Sequence, residues 1–250
     1  MERPFSSALV AEAYGAFLLT FIGCTAITIA NDASLFSLGP TLGLGFIGLA
    51  FGVALMIGIA SVGSVSGGHF NPAVTVALLA AGRFPRKRVP GYIAAQFVGA
   101  TVAALLELAL VGMAAASTPG VDLGSSLPNG SLPSPIFASV LAEIIGTAVL
   151  AMVVLGSTDS ASSGNVWGTM SIGLAITVSI WAVGSISGAS LNPARSFGPA
   201  VVSLLFDSTP MLNYWIYVIG PILGALLAAN LYRFIFRQVK PDEIPATTTT

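Results

Sequence analysis

The tripeptide Asn-Pro-Ala occurs twice, at Asn71-Pro72-Ala73 and Asn192-Pro193-Ala194, and three residues separate each copy from a preceding Ser-Gly pair, Ser66-Gly67 and Ser187-Gly188. Asn before Pro suits the start of a helix. The Asn side-chain oxygen accepts from an orphan backbone N–H, and Pro at the first helical position loses nothing by lacking a donor. A single copy would be an ordinary capped helix. Two copies with matched flanks constrain the whole chain, because each precedes a short apolar stretch, 74–81 and 197–206. These stretches are roughly half the ~20 residues a helix needs to cross a bilayer. Both read as half-helices.

Their context is a chain with 55% hydrophobic and only 8% charged residues and a mean hydropathy of +0.91, which excludes a soluble domain. Apolar segments at 8–30, 41–62, 89–113, 136–155, 166–184 and 212–236 predict six membrane spans. Eight of the nine cations, Arg3, Arg83, Arg86, Lys87, Arg88, Arg233, Arg237 and Lys240, fall on one side of that topology. By the positive-inside rule that side is the cytoplasm, so a multi-pass protein of the cell membrane with both termini cytoplasmic is expected. Arg195 alone breaks the pattern. The first segment contains Glu12 and lacks a small-residue cleavage site, so it reads as a retained span rather than a leader. One cysteine, Cys24, excludes an internal disulfide framework. With one histidine and no His/Glu metal motif, the chain offers no catalytic constellation. No enzyme activity, metal, cofactor or nucleic-acid partner is expected.

The chain also repeats itself. Ala11-Glu12-x-x-Gly15 recurs as Ala142-Glu143-x-x-Gly146, and Gly99 and Gly220 keep the 121-residue offset (192 − 71) of the two tripeptides. A single transmembrane domain over 1–250 therefore divides into a first repeat, 8–113, and a second, 136–236. Three spans and a half-helix per repeat force the halves into opposite orientations, an inverted repeat. The predicted fold class is an all-α membrane protein with six transmembrane helices and two re-entrant half-helices. The Ser/Gly/Pro-rich stretch 114–135 reads as an extracellular loop, in which Asn129-Gly130-Ser131 matches a glycosylation sequon. The tail 241–250 has no core-forming content and reads as disordered.

Inversion brings the half-helices nose to nose near the bilayer midplane, with roughly half a positive charge at each N-terminus. Cations and protons are disfavoured at such a junction. Asn71 and Asn192, their oxygens occupied in capping, would turn their NH2 donors to the lumen. The loops before them cannot be helical, and Gly68, His69, Phe70, Gly188, Ser190 and Leu191 can present carbonyls to a duct, the one place where bare backbone is tolerated at this depth. Glu12 and Glu143 are candidates by default, as intramembrane carboxylates; they read as acceptors for the unpaired N–H groups of the two loops. His69 reads as a structural residue holding its loop. Glu107 and Asp207 read as residues near the outer interface without a special role.

Over residues 8–236 the chain resembles the aquaporins of the major intrinsic protein family. Ser-Gly-Gly-His-Phe-Asn-Pro-Ala-Val-Thr and Ser-Gly-Ala-Ser-Leu-Asn-Pro-Ala-Arg-Ser-Phe-Gly-Pro carry the likeness. The resemblance implies an hourglass fold, a pore through each subunit and a homotetramer in the lipid bilayer. It also implies a selectivity filter of Phe51, Ile180, Ala189 and Arg195. Strict water channels of the family place histidine where Ile180 stands, so a wider and less polar constriction is implied here. Ser196, Ala200 and Tyr214-Trp215 match the water-channel pattern, and the mixture is most like the archaeal M-type aquaporins. The implied permeants are water and, more slowly, small neutral solutes such as glycerol or dissolved gases, with protons and ions excluded. A channel mainly for glycerol or gas is the alternative. A secondary transporter with broken helices is a further one, but it needs a coupling site that two deep carboxylates suited to loop support do not supply.

Overall fold

The computed structural model describes residues 4–31, 38–118, 121–159 and 166–236. Arg3, Arg237, Lys240 and the tail 241–250 lie outside them. Among the described residues all regular structure is helical: α1 (Phe5–Asn31), α2 (Gly39–Ser66), α3 (Pro72–Ala80), α4 (Val89–Ala116), α5 (Pro135–Ser157), α6 (Val166–Ser187), α7 (Pro193–Ser203), α8 (Thr209–Asn213) and α9 (Ile216–Ile235), with 3-10 turns at Arg86–Arg88 and Asp122–Gly124. Six helical segments among them are long and apolar enough to cross a membrane, the last formed by α8 and α9 together. The expected spans are all present, each a few residues longer than hydropathy marked, because polar ends continue the helical hydrogen bonding beyond the apolar stretch. Within α4, Gly112 has φ 78° and ψ 165°, so the regular helix breaks there.

The half-helices α3 and α7 start where Asn-Pro predicts. Asn71 is extended (φ −156°) and its Oδ1 accepts from Ala73 N at 2.8 Å. Asn192 caps more fully, with Oδ1 accepting from Ala194 N at 3.0 Å and Arg195 N at 3.2 Å. Upstream, α2 ends at Gly67 in the left-handed region, with its N–H bonded to Gly63 O at 2.8 Å, and α6 ends at Gly188 with the equivalent bond to Gly184 O at 2.9 Å. A left-handed residue at the helix end reverses the chain at low cost when it is glycine.

Contacts follow the repeat. The densest packing joins α1 to α4 and α5 to α9; α2 packs on α1, and α6 on α5. Each half-helix crosses into the other half, α3 against α9 and α7 against α4, while α2 and α6 meet along the seam between halves. That seam is tight. A Cβ on Gly52 would stand 2.0 Å from Thr177 Oγ1, which itself donates to Gly48 O at 3.0 Å. The densest pairs are equally close, since a Cβ on Gly99 would meet Ala13 O at 2.0 Å, and one on Gly220 would meet Glu143 Cβ at 2.5 Å. The result is an all-α inverted repeat of hourglass form, its outside studded with exposed Leu, Val, Ile and Phe from every long helix. An apolar surface that continuous suits hydrocarbon rather than water.

Candidate functional site

The two loops that feed the half-helices have the same backbone. Gly67, Gly68 and Phe70 in the first and Gly188, Ala189 and Leu191 in the second all have positive φ, at matched positions. Phe70, Ala189 and Leu191 are not glycine, and each such residue costs about 1–3 kcal/mol unless its surroundings over-determine it. The over-determination comes from one carboxylate per loop. Glu12 Oε1 accepts from His69 N at 3.0 Å and Oε2 from Phe70 N at 2.7 Å. Glu143 Oε1 accepts from Ser190 N at 2.9 Å and from Ser187 Oγ at 2.8 Å, and Oε2 from Leu191 N at 2.7 Å. Both carboxylates are fully buried. The glycine one turn on in each helix makes room for the loop: a Cβ on Gly15 would strike the Phe70 ring at 2.1 Å, and one on Gly146 would strike Leu191 Cδ2 at 2.6 Å. The twice-used Ala-Glu-x-x-Gly is thus a cradle, with acceptor and clearance on one helix face.

At the junction the two halves are cross-linked. Asn71 Nδ2 donates to Leu191 O at 2.8 Å and Asn192 Nδ2 donates to Phe70 O at 3.0 Å. The Phe70 and Leu191 carbonyls each accept from the asparagine opposite, and one N–H of each amide is left over. A buried carbonyl next to a buried amide takes that partner because leaving either unpaired is costly. Gly68 and His69 line the space on one side of the junction and Gly188 the space on the other. Ser190 lines neither; its Oγ donates to Asn192 O at 2.9 Å and lies 2.5 Å from Ser196 Oγ.

On the side of Arg83 there is a cavity of about 640 Å³, lined by Ser66, Gly68, His69 and Phe84 among others. It leads to a narrow space of about 10 Å³ walled by Leu19, Leu55, Leu150, Val154, Ile172 and Ile176, with Gly68, His69 and Asn71 as the polar edge. Beyond the junction a cavity of about 300 Å³ opens between Ile180, Gly184, Gly188, Ser125 and Leu127. The His69 imidazole is held: Nδ1 lies 3.1 Å from Thr75 Oγ1, and the ring packs on Phe84 and Tyr92. The basic end of the molecule is also fixed. Arg83 Nη1 donates to Leu155 O at 2.6 Å and its Cζ lies 5.7 Å from the Tyr232 ring centre, while Arg88 Cζ lies 5.6 Å from the ring of Phe5. The start of α1 and the end of α9 therefore lie with Arg83 and Arg88 at one end.

The four residues that the resemblance assigned to a filter are all buried: Phe51, Ile180, Ala189 and Arg195. Arg195 Cζ lies 4.9 Å from the Phe51 ring centre, and Nη1 donates to Ser126 Oγ at 2.7 Å, whereas Nε and Nη2 have no partner among the described residues. Ile180 and Ala189 both lie beside Gly184, where a Cβ would sit 3.5 Å from Ile180 Cγ2 and 4.0 Å from Ala189 Cβ.

Several partners were not named from sequence. Ser126 is one, supplied by a connection that folds back over the mouth: Asn129 N donates to Ile186 O at 3.0 Å and Asn129 Nδ2 to Ser185 O at 2.9 Å, which ties down the sequon amide. Gln96 is another; its Nε2 donates to Glu12 Oε2 at 2.6 Å and to Thr75 Oγ1 at 3.1 Å. Tyr92 OH and Tyr217 OH donate to Ser66 O and Ser187 O, each at 2.7 Å, pinning the two loop entrances. The near-repeat spacing of the tyrosines was the available signal. Glu107, expected near the outer interface, is a further residue whose partner was not named. It is fully buried, and its Oε1 accepts from Thr28 Oγ1 at 2.7 Å.

Six spans enclosing two half-helices that meet end to end, with a cavity on each side, define a polytopic membrane channel. The major intrinsic protein family model matches residues 1–232, and the chain belongs to that family. It is similar to a probable aquaporin AqpM of Archaeoglobus fulgidus, 39% identical over 95% of this chain and 100% of the relative. Aquaporin NIP1-1 of Zea mays is 38% identical over 98% of this chain and 81% of the relative. The structure of the aquaglyceroporin from Plasmodium falciparum superposes with a TM-score of 0.79 over 92% of this chain and 96% of that one, at 24% identity, a likeness of fold. The protein is a passive channel and not an enzyme.

Proposed function

We propose that this channel conducts water as its main permeant and small neutral solutes such as glycerol or dissolved gases more slowly, while excluding protons and ions. The observation that carries the reading is the paired junction: two Asn-capped helix N-termini point at one spot, and one N–H of each asparagine remains to donate. A water there accepts from both, which turns its oxygen inward and breaks a continuous proton wire, while the two helix ends repel cations. Phe51, Ile180, Ala189 and Arg195 form the filter, with Arg195 donating to the permeant and Ile180 supplying an apolar wall. Gly68, His69 and Gly188 offer backbone carbonyls along the path; Glu12 and Glu143 support the loops. The archaeal and plant relatives, named aquaporins, support water as permeant. A single channel domain over 1–250, with repeats 8–113 and 136–236, assembles as a homotetramer in the cell membrane with both termini in the cytoplasm.

Stopped-flow shrinkage of proteoliposomes under a sucrose gradient, followed by swelling in glycerol, tests this. Fast water and slow glycerol are expected, and Ile180→His is expected to lower glycerol flux more than water flux. The apolar pair Ile180 and Ala189 favours the second reading, a glycerol channel, which would show glycerol flux matching that of water. No water flux above that of empty liposomes would overturn the proposal.

A further inference from the structure

The loop that carries His69 does not need an imidazole to hold its shape, and the inverted repeat supplies the control. At the 121-residue offset of the two tripeptides (192 − 71), His69, Thr75 and Gln96 correspond to Ser190, Ser196 and Tyr217. The second loop takes the same turn with serine in that place. Ser190 Oγ donates to Asn192 O within its own loop. The His69 ring instead borders both the cavity on the side of Arg83 and the narrow space below the junction.

Which ring nitrogen carries the hydrogen is set by the bond the other groups make to it. The Glu12 carboxylate only accepts, and both its oxygens take loop N–H groups. It turns the Gln96 amide so that Nε2 donates to Glu12 Oε2 at 2.6 Å, and the second hydrogen of that NH2 goes to Thr75 Oγ1 at 3.1 Å. Gln96 Oε1 has no partner among the described residues, so these two bonds alone orient the amide. Thr75 has a single hydroxyl hydrogen, which it donates to Asn71 O at 3.0 Å. Toward His69 Nδ1, 3.1 Å away, the same oxygen can then only accept. Nδ1 is therefore the protonated nitrogen, and Nε2 is left as an acceptor with no bond to the described residues. Gly67 leaves room beside it, since a Cβ there would stand 3.4 Å from Nε2. Among the described side chains that wall the narrow space, only His69 and Asn71 are polar, and the Asn71 oxygen is spent on Ala73 N.

We propose that Glu12, Gln96 and Thr75 are positioning residues that lock His69 in its Nδ1–H form, and that Nε2 is a specificity-determining acceptor of the narrow segment, taking a hydrogen from the passing water. The two asparagines donate to water at the junction and turn its hydrogens outward. An acceptor on the wall next in line continues that order, whereas an N–H there would oppose it. The assignment rests on the reading of the junction as a water path.

His69 is the only histidine of the chain, so isotope-labelled histidine in the full-length protein gives one unambiguous nitrogen signature by solid-state NMR of proteoliposomes. At neutral pH a protonated Nδ1 and a bare Nε2 are expected, with magnetisation from water reaching Nε2. Thr75→Val keeps the shape but removes the oxygen, so the hydrogen is expected to leave the now unpaired Nδ1 for Nε2, where water can accept it. The ring stays and one proton moves. Water flux under a sucrose gradient is expected to fall about fivefold, the weight of one ordinary hydrogen bond, and Thr75→Ser is expected to restore both flux and tautomer. A parent spectrum with Nε2 protonated overturns the proposal, as does a bare Nε2 that water does not reach. A Thr75→Val channel that keeps the parent tautomer, or that changes it without loss of flux, overturns it too. Should Thr75→Val fail to fold, the tautomer and the water contact of the parent decide the matter. Absence of water flux in the parent would instead sink the water-channel reading, while the spectrum would still decide the lock.

Discussion

At the scale of single residues, the buried carboxylates are the most consequential side chains. Glu12→Ala would orphan the N–H groups of His69 and Phe70, and Glu143→Ala those of Ser190 and Leu191. Each unsatisfied buried donor costs about 1–3 kcal/mol. Either variant is expected to lower the thermal transition of the purified protein and the yield of folded material, with Glu→Gln variants milder because one acceptor oxygen survives. Normal stability with altered permeation would contradict this. The pairing of Glu12 with Glu143 was legible in the repeat, but the donors they meet were not, since those depend on how each loop turns. Cys24 is 0% exposed. Mercurials are therefore expected to leave water flux unchanged, measured by the same stopped-flow shrinkage before and after treatment.

At the scale of elements, the half-helices depend on their caps. Loss of a side-chain N-cap costs typically ~1 kcal/mol, but each asparagine here also bonds across to the opposite loop. Asn192→Ala is expected to be the more destabilising of the two, because Asn192 Oδ1 serves two N–H groups where Asn71 Oδ1 serves one. Thermal melts of the two alanine variants under one condition check the order. Ala189 stands at φ 41° where the first repeat has Gly68. Ala189→Gly is expected to raise stability by up to about 1 kcal/mol by relieving that strain. The half-helices were readable because Asn-Pro is a local signal. The cross-bonds from Asn71 and Asn192 were not, because each joins residues some 120 positions apart and only the docked halves set the geometry.

At the scale of the whole molecule, the two halves are joined by the α2–α6 seam as well as by the junction. Gly52→Val would push a side chain against Thr177 Oγ1 and into Gly173 O, which lies 2.7 Å from the position of its first carbon. Backbone cannot yield as a flexible side-chain end can, so a loss of several kcal/mol is expected, at or above the usual ~1–3 kcal/mol of overpacking. Size-exclusion profiles in detergent would show it as aggregation. By itself the sequence determined the membrane class, the six spans, the inverted duplication and the starts of both half-helices. Hydropathy, Asn-Pro capping and the parity of spans are properties of the chain taken segment by segment. Tertiary structure decided that each asparagine bonds to the opposite loop, that Ser126 meets Arg195, and that Glu107 is buried against Thr28. These depend on contacts between residues far apart in sequence, where a buried polar group takes whatever partner the packed helices bring within reach.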